Sequence, residues 1–242
     1  MWSARRYNVP FAIGLAATVG AASIVGSWMG GVSYVLMASA LFAVLFAAVV
    51  SIAGAEHPHP RFGPANGVTT TRAMLAALAA GVIGQAARVE VLWFVIGLTA
   101  LMAALDGVDG WVARRTGMAS AYGARFDMET DAVFILVLSI LVWQHGKAGA
   151  WVMLCGLMRY AFVAAGGVLP WLTAPLRPTL RGRTVAVGQL FGLGVAVAPV
   201  IPVPASDVVA ALTLAALVWS FALDVTWLWR HQRGDALRRP QG

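Results

Sequence analysis

Long apolar runs, broken by short polar or glycine- and proline-rich stretches, make up most of this chain. No charged residue occurs between Arg6 and Glu56, enough for two membrane crossings of about 20 residues each. Further apolar runs follow, and segments fit at residues 9–29, 32–54, 67–87, 91–112, 123–144, 148–167, 184–202 and 207–229. The apolar-out, polar-in alternation that a membrane barrel needs is absent. The pattern predicts an all-α fold, a polytopic transmembrane bundle of about eight helices.

Composition agrees with the pattern. Of 242 residues, 60% are hydrophobic and 11% charged, and the mean hydropathy is +0.79, which excludes an ordinary soluble domain. The net charge of +7 would suit a nucleic-acid partner, but its distribution points elsewhere. With eight crossings and both ends inside, 15 of the 17 basic residues fall on the cytoplasmic side and only Arg88 and Lys147 on the other. That is the positive-inside bias. Topology and anionic lipid headgroups account for the charge, and no nucleic acid is implied. The lone Cys155 allows no internal disulfide and reads as a small apolar residue. Arg5-Arg6 before an apolar run looks like a signal peptide, but no Ala-x-Ala-like site followed by polar sequence ends the run. We expect a retained first helix.

Residues 1–54 read as a two-helix hairpin turned at Met29-Gly30-Gly31, without catalytic-looking side chains and packed against the side of the bundle. Its small residues (Gly14, Ala16, Ala17, Gly20, Ala21, Ala22) allow close helix approach. Residues 55–66 form a proline-broken cytoplasmic linker. His57 and His59 within it lack a third ligand and read as solvated. Residues 67–230 hold the remaining six segments, and the basic stretch 231–242 is expected on the lipid surface or disordered.

Chemistry concentrates between Asp106 and Asp131. Four aspartates (Asp106, Asp109, Asp127, Asp131) fall within these 26 positions of a chain that has only ten acidic residues. Spacings of three and four put each pair on one helix face. Ionisable groups inside a membrane segment need a partner or a wet cavity. With only Arg114, Arg115 and Arg125 nearby, divalent cations fit that role, and carboxylate oxygens suit Mg²⁺, Mn²⁺ or Ca²⁺ rather than zinc. A short polar turn joins the two acid-bearing segments. Their acids should therefore lie at matched depth on adjacent antiparallel helices near the cytoplasmic boundary, able to build a two-metal site.

The run Asp106-x-x-Asp109-Gly110-x-x-Ala113-Arg114, eight residues, then Gly123-x-x-x-Asp127-x-x-x-Asp131 resembles the signature of the CDP-alcohol phosphotransferase family at every fixed position. The resemblance covers about residues 64–230. It implies a six-helix core, to which the N-terminal hairpin is an addition, in a bacterial inner membrane with the active site on the cytoplasmic side. The implied reaction moves a substituted phosphate from a CDP-alcohol, above all CDP-diacylglycerol, to the hydroxyl of a small or lipid acceptor alcohol, releasing CMP. Two Mg²⁺ or Mn²⁺ ions would be held by Asp106, Asp109, Asp127 and Asp131. Asp131 would also serve as general base, and its ligand and base roles are not separable from sequence. A homodimer is implied as well.

Other residues take roles around this signature. Asn66 and Thr69 can cap the third segment, or, by resemblance to the family's first core helix, face the nucleotide together with Gly110, Ala113, Arg114 and Gly123. Gly110 and Ala113 leave room against the helix, and Arg114 can neutralise a pyrophosphate oxygen. Arg72 completes the Asn-x-x-Thr-x-x-Arg pattern of that first core helix, although a basic residue is expected near a cytoplasmic helix end in any case, and Arg115 reads as topological charge. Glu129, two positions from each of Asp127 and Asp131, should face another helix or the rim, with Arg125 as a partner. Arg159 sits in an apolar run and either binds a substrate phosphate or pairs with an acid such as Asp224. Arg177, Arg181 and Arg183 with Arg159 favour an anionic, phosphorylated acceptor such as glycerol 3-phosphate or inositol phosphate. Ala132, where several relatives using such acceptors have a basic residue, argues the other way. Two rivals remain: a cation- or proton-coupled transporter using the aspartates, and a catalytically silent scaffold. Neither accounts for the glycines, alanine and arginine at fixed offsets.

Overall fold

The computed structural model describes residues 2–53, 62–86, 88–116, 120–174, 176 and 179–238, with backbone alone at 2–6, 52, 53, 109, 113, 114 and 231–238. The described residues form eight α-helices and no strand: α1 (Trp2–Met29), α2 (Gly31–Ala53), α3 (Pro64–Ala80), α4 (Val89–Thr116), α5 (Ala121–Gln144), α6 (Leu154–Val168), α7 (Leu180–Val197) and α8 (Ala205–Arg238). A 3-10 turn, Ala150–Met153, leads into α6. The expected all-α bundle is the fold observed. His57 and His59, and the end of the tail, lie outside the described residues.

Five stretches are long and apolar enough to cross a membrane: Tyr7–Met29, Gly31–Ser51, Val89–Val112, Ala150–Val168 and Ala205–Arg230. This identifies an integral membrane protein. The other helices fall short for a physical reason. Helix α3 has 17 residues and carries Arg72, and the first half of α5 holds Arg125, Asp127, Glu129 and Asp131. Such segments need shelter from lipid. Helix α3 finds it by packing against α1, α2, α4 and α5, with 11 of its 17 residues buried. Its alanine-rich side (Ala73, Ala76, Ala77, Ala80) is fully or nearly fully buried, since small side chains let backbones approach closely.

The hairpin turn uses Gly31 at φ 58°, a left-handed conformation that glycine adopts without a Cβ penalty. Burial on α1 repeats every four residues, at Gly14, Thr18, Ala22 and Gly26. A Cβ on Gly14 would lie 2.4 Å from the Phe42 ring. Of the small residues expected at this contact, Gly14 and Ala22 are there, while Ala16, Ala17 and Gly20 face outward. The hairpin also reaches further than the side of the bundle. Tyr7, Phe42 and Phe46 form one buried cluster with Tyr122 and Phe126 of α5, and Phe62 packs against it.

Helices α5 and α6 touch most closely at Gly156, where a Cβ would fall 2.4 Å from the Leu136 Cα. Because that neighbour is backbone, the helices themselves would have to separate. Gly156→Ala is expected to cost on the order of 1–3 kcal/mol, read as a lowered unfolding midpoint of the purified protein in detergent. An unchanged midpoint would mean the two helices do not meet there. Cys155 beside it is buried in the apolar core, as expected of a small apolar residue.

Candidate active site

Helix α3 begins at Pro64, three residues before the expected start, with Gly63 ahead of it. Proline suits a first helical position because its missing N–H would be unpaired there anyway. The earlier start puts Asn66, Thr69 and Arg72 inside the helix, all buried. Asn66 and Thr69 therefore do not cap it. The Asn66 Nδ2 donates to the Phe62 carbonyl, and the Thr69 hydroxyl donates to the Ala65 carbonyl at 3.2 Å. Helix α5 starts against this turn. Ser120 caps it by accepting from the Gly123 N–H at 3.1 Å, and a Cβ on Gly123 would lie 2.9 Å from the Asn66 Oδ1. Gly123 thus lets the two helix starts meet.

Two turns into α3, Arg72 is 1% exposed and gathers the acids. Its guanidinium lies 3.0 Å from the Asp106 carboxylate of α4 and donates to Asp127 and Asp131 of α5. The three carboxylates have ligand oxygens within 4.8 Å of one another. Their side chains are 37–39% exposed, so they open outward over an arginine floor. The matched depth expected of these acids is observed for Asp106, Asp127 and Asp131. The sequence places Arg72 in the Asn66-x-x-Thr69-x-x-Arg72 pattern without identifying the acids as its partners, and that role comes from the structure.

These donors fit a divalent cation. They are hard carboxylate oxygens, converging, open on one side and already arranged about a positive charge in the form of the guanidinium. The side chains of Asp109, Ala113 and Arg114 lie outside the described residues, as does Arg177. Gly110 is half-buried one turn after Asp106, and Arg115 is exposed with its guanidinium 5.0 Å from the Trp111 ring, as topological charge would be.

The remaining charges pair differently from expectation. Arg159 of α6 is bonded to Glu129, not to Asp224, and Arg125 is not the partner Glu129 takes. Asp224 of α8 is bonded to Arg181 at the start of α7. Arg183 is exposed. Both pairs join different helices inside the bundle, where a lone charge would be most costly.

Beside the acids, α5, α6, α7 and α8 line a partly open cavity of about 270 Å³. Asp131 lines it, with Ala132, Arg159, Gln189, Ser220 and Asp224 among its walls. Asp131 therefore belongs both to the acid cluster and to the cavity. This shared carboxylate connects a place for cations to a place for a second molecule.

A family model described as CDP-alcohol phosphatidyltransferase matches residues 62–223, about two thirds of the chain. The matched span begins just ahead of α3 and closes within α8, leaving out α1 and α2. Neither a curated protein nor a solved structure gave a match.

Proposed function

The chain belongs to the CDP-alcohol phosphatidyltransferase family, transferases of substituted phosphate groups, and on that premise we propose that it moves a phosphatidyl group from CDP-diacylglycerol to an acceptor hydroxyl on the cytoplasmic side of a bacterial inner membrane. The observation that carries this reading is the double membership of Asp131, in contact with Arg72 and on the wall of the cavity. A nucleotide pyrophosphate over the acids and an alcohol in the cavity would meet at that carboxylate.

Asp106, Asp127 and Asp131, with Asp109, would hold Mg²⁺ or Mn²⁺, two ions by the family resemblance. When bound, such ions neutralise the pyrophosphate and stabilise the departing CMP. The chain's own residues do the rest. Asp131 accepts the proton of the acceptor hydroxyl, whose oxygen forms the new P–O bond to the phosphatidyl phosphorus. The phosphoanhydride P–O bond breaks, and its electron pair leaves with CMP. Arg72 fixes the carboxylates from below. Asn66, Thr69 and Gly123 shape the joint start of α3 and α5, where with Gly110, Ala113 and Arg114 they would receive the nucleotide. The acyl chains stay in the bilayer and the cytidine reaches water, which suits a site open at one end of the bundle. By the family resemblance the unit is a homodimer.

A transporter reading draws no support from this arrangement. Among the described residues, three of the acids converge on one arginine and two more are paired singly with arginines, an arrangement of closed clusters and not a file of carboxylates. Purified protein given CDP-diacylglycerol and Mg²⁺ or Mn²⁺ is expected to release CMP in step with acceptor added, and to stop when a chelator is supplied. A folded protein that releases no CMP with any acceptor would overturn the reading.

A further inference from the structure

Resting on that reading, the charges around the cavity name the class of acceptor. We propose that the site takes a compact, uncharged polyhydroxy alcohol, and that Glu129 and Asp224 set this specificity by engaging the arginines a phosphate would need. Arg159 lines the cavity with its guanidinium on Glu129. Arg181 is bonded to Asp224, itself a lining residue. Around this space stand the carboxylates of Glu129, Asp131 and Asp224, each already in contact with a guanidinium, those of Arg159, Arg72 and Arg181. A phosphorylated acceptor would add further negative charge and compete with a carboxylate already in contact. Ala132, buried on the same wall, brings no charge of its own.

The unpartnered polar atoms of the wall call for hydroxyls. Gln189 is 1% exposed, and its Nε2 donates to the Thr213 carbonyl at 2.7 Å. Its Oε1 is buried without a partner on the cavity wall. That oxygen wants a hydrogen-bond donor, which a hydroxyl of the acceptor supplies. The Arg159 Nε–H is also buried without an acceptor. One hydroxyl cannot serve Asp131, Gln189 and Arg159 together, whereas a molecule with several hydroxyls can. The volume of about 270 Å³ suits a small ring or short-chain polyol.

The test compares neutral polyols (glycerol, inositol) with their monophosphates as acceptors for the full-length protein in lipid nanodiscs, using CDP-diacylglycerol and Mn²⁺. CMP release and the mass of the lipid product are read. The neutral acceptor is expected to show kcat/KM about tenfold or more above its phosphate. In E129Q/D224N the preference should move toward the phosphate by about the same factor. Gln189→Met, a milder change, should raise KM for the polyol severalfold and leave KM for CDP-diacylglycerol unmoved. CMP released with phosphorylated acceptors alone would overturn this inference and leave the transferase intact. A Gln189→Met protein with unaltered polyol KM would also overturn it. Absence of CMP with every acceptor would bring down the transferase reading as well.

Discussion

Asp127→Asn is expected to lower metal-dependent CMP release on the order of 10²–10³-fold, the scale on which removing one preorganised electrostatic group acts. The substitution changes charge and almost nothing else. An amide oxygen can still accept from the Arg72 guanidinium, which contacts Asp127 in the native protein, so the join between α3 and α5 survives. What disappears is one of three anionic oxygens gathered within 4.8 Å, and with it much of the attraction for a divalent ion. The unfolding midpoint should stay close to wild type while activity and Mn²⁺ affinity fall together. Asp106→Asn should behave alike from α4. Activity near wild type in either variant would reject the metal assignment, whatever the fate of the fold.

That prediction uses residues legible in the sequence, because their message is local. The spacing of Asp127 and Asp131 within one helix fixes a shared face, and a charge inside an apolar run announces that it needs a partner. The hairpin turn at Met29-Gly30-Gly31 is local in the same sense. Partners across the bundle are another matter. Arg72 reaches Asp127 over 55 positions, Arg181 reaches Asp224 over 43, and Arg159 reaches Glu129 over 30. Which arginine takes which acid depends on how three or four helices pack, and helical periodicity carries no such information. The sequence reading offered Arg159 the wrong acid and Glu129 the wrong arginine for this reason. Helix α3 was recognisable as a segment, but not as the central one. Its centrality follows from its contacts with α1, α2, α4 and α5, which allow a short helix with polar residues to live inside a membrane protein.

Arg72→Met is expected to make the stability of the protein depend on divalent cations. Methionine keeps much of the arginine's length and apolar stem, so packing along α3 changes little. The lost charge faces three carboxylates, and two unit charges about 4 Å apart interact by about 4 kcal/mol at an effective dielectric of 20. Without the guanidinium, that repulsion must be met by water, by protonation or by helix separation. Removing one member of a buried ion pair costs about 3–5 kcal/mol. The low end applies here because the acids are 37–39% exposed and water screens part of the field. In a chelator the variant should unfold well below wild type. Added Mn²⁺ should restore most of the difference, because the ion supplies to the same oxygens the positive charge that Arg72 supplied. Wild type should respond to Mn²⁺ more weakly, since its acids already share a cation. A variant as stable as wild type in chelator would mean that Arg72 does not hold the cluster. A chelator-sensitive variant that Mn²⁺ fails to rescue would mean that the three carboxylates cannot close around an ion.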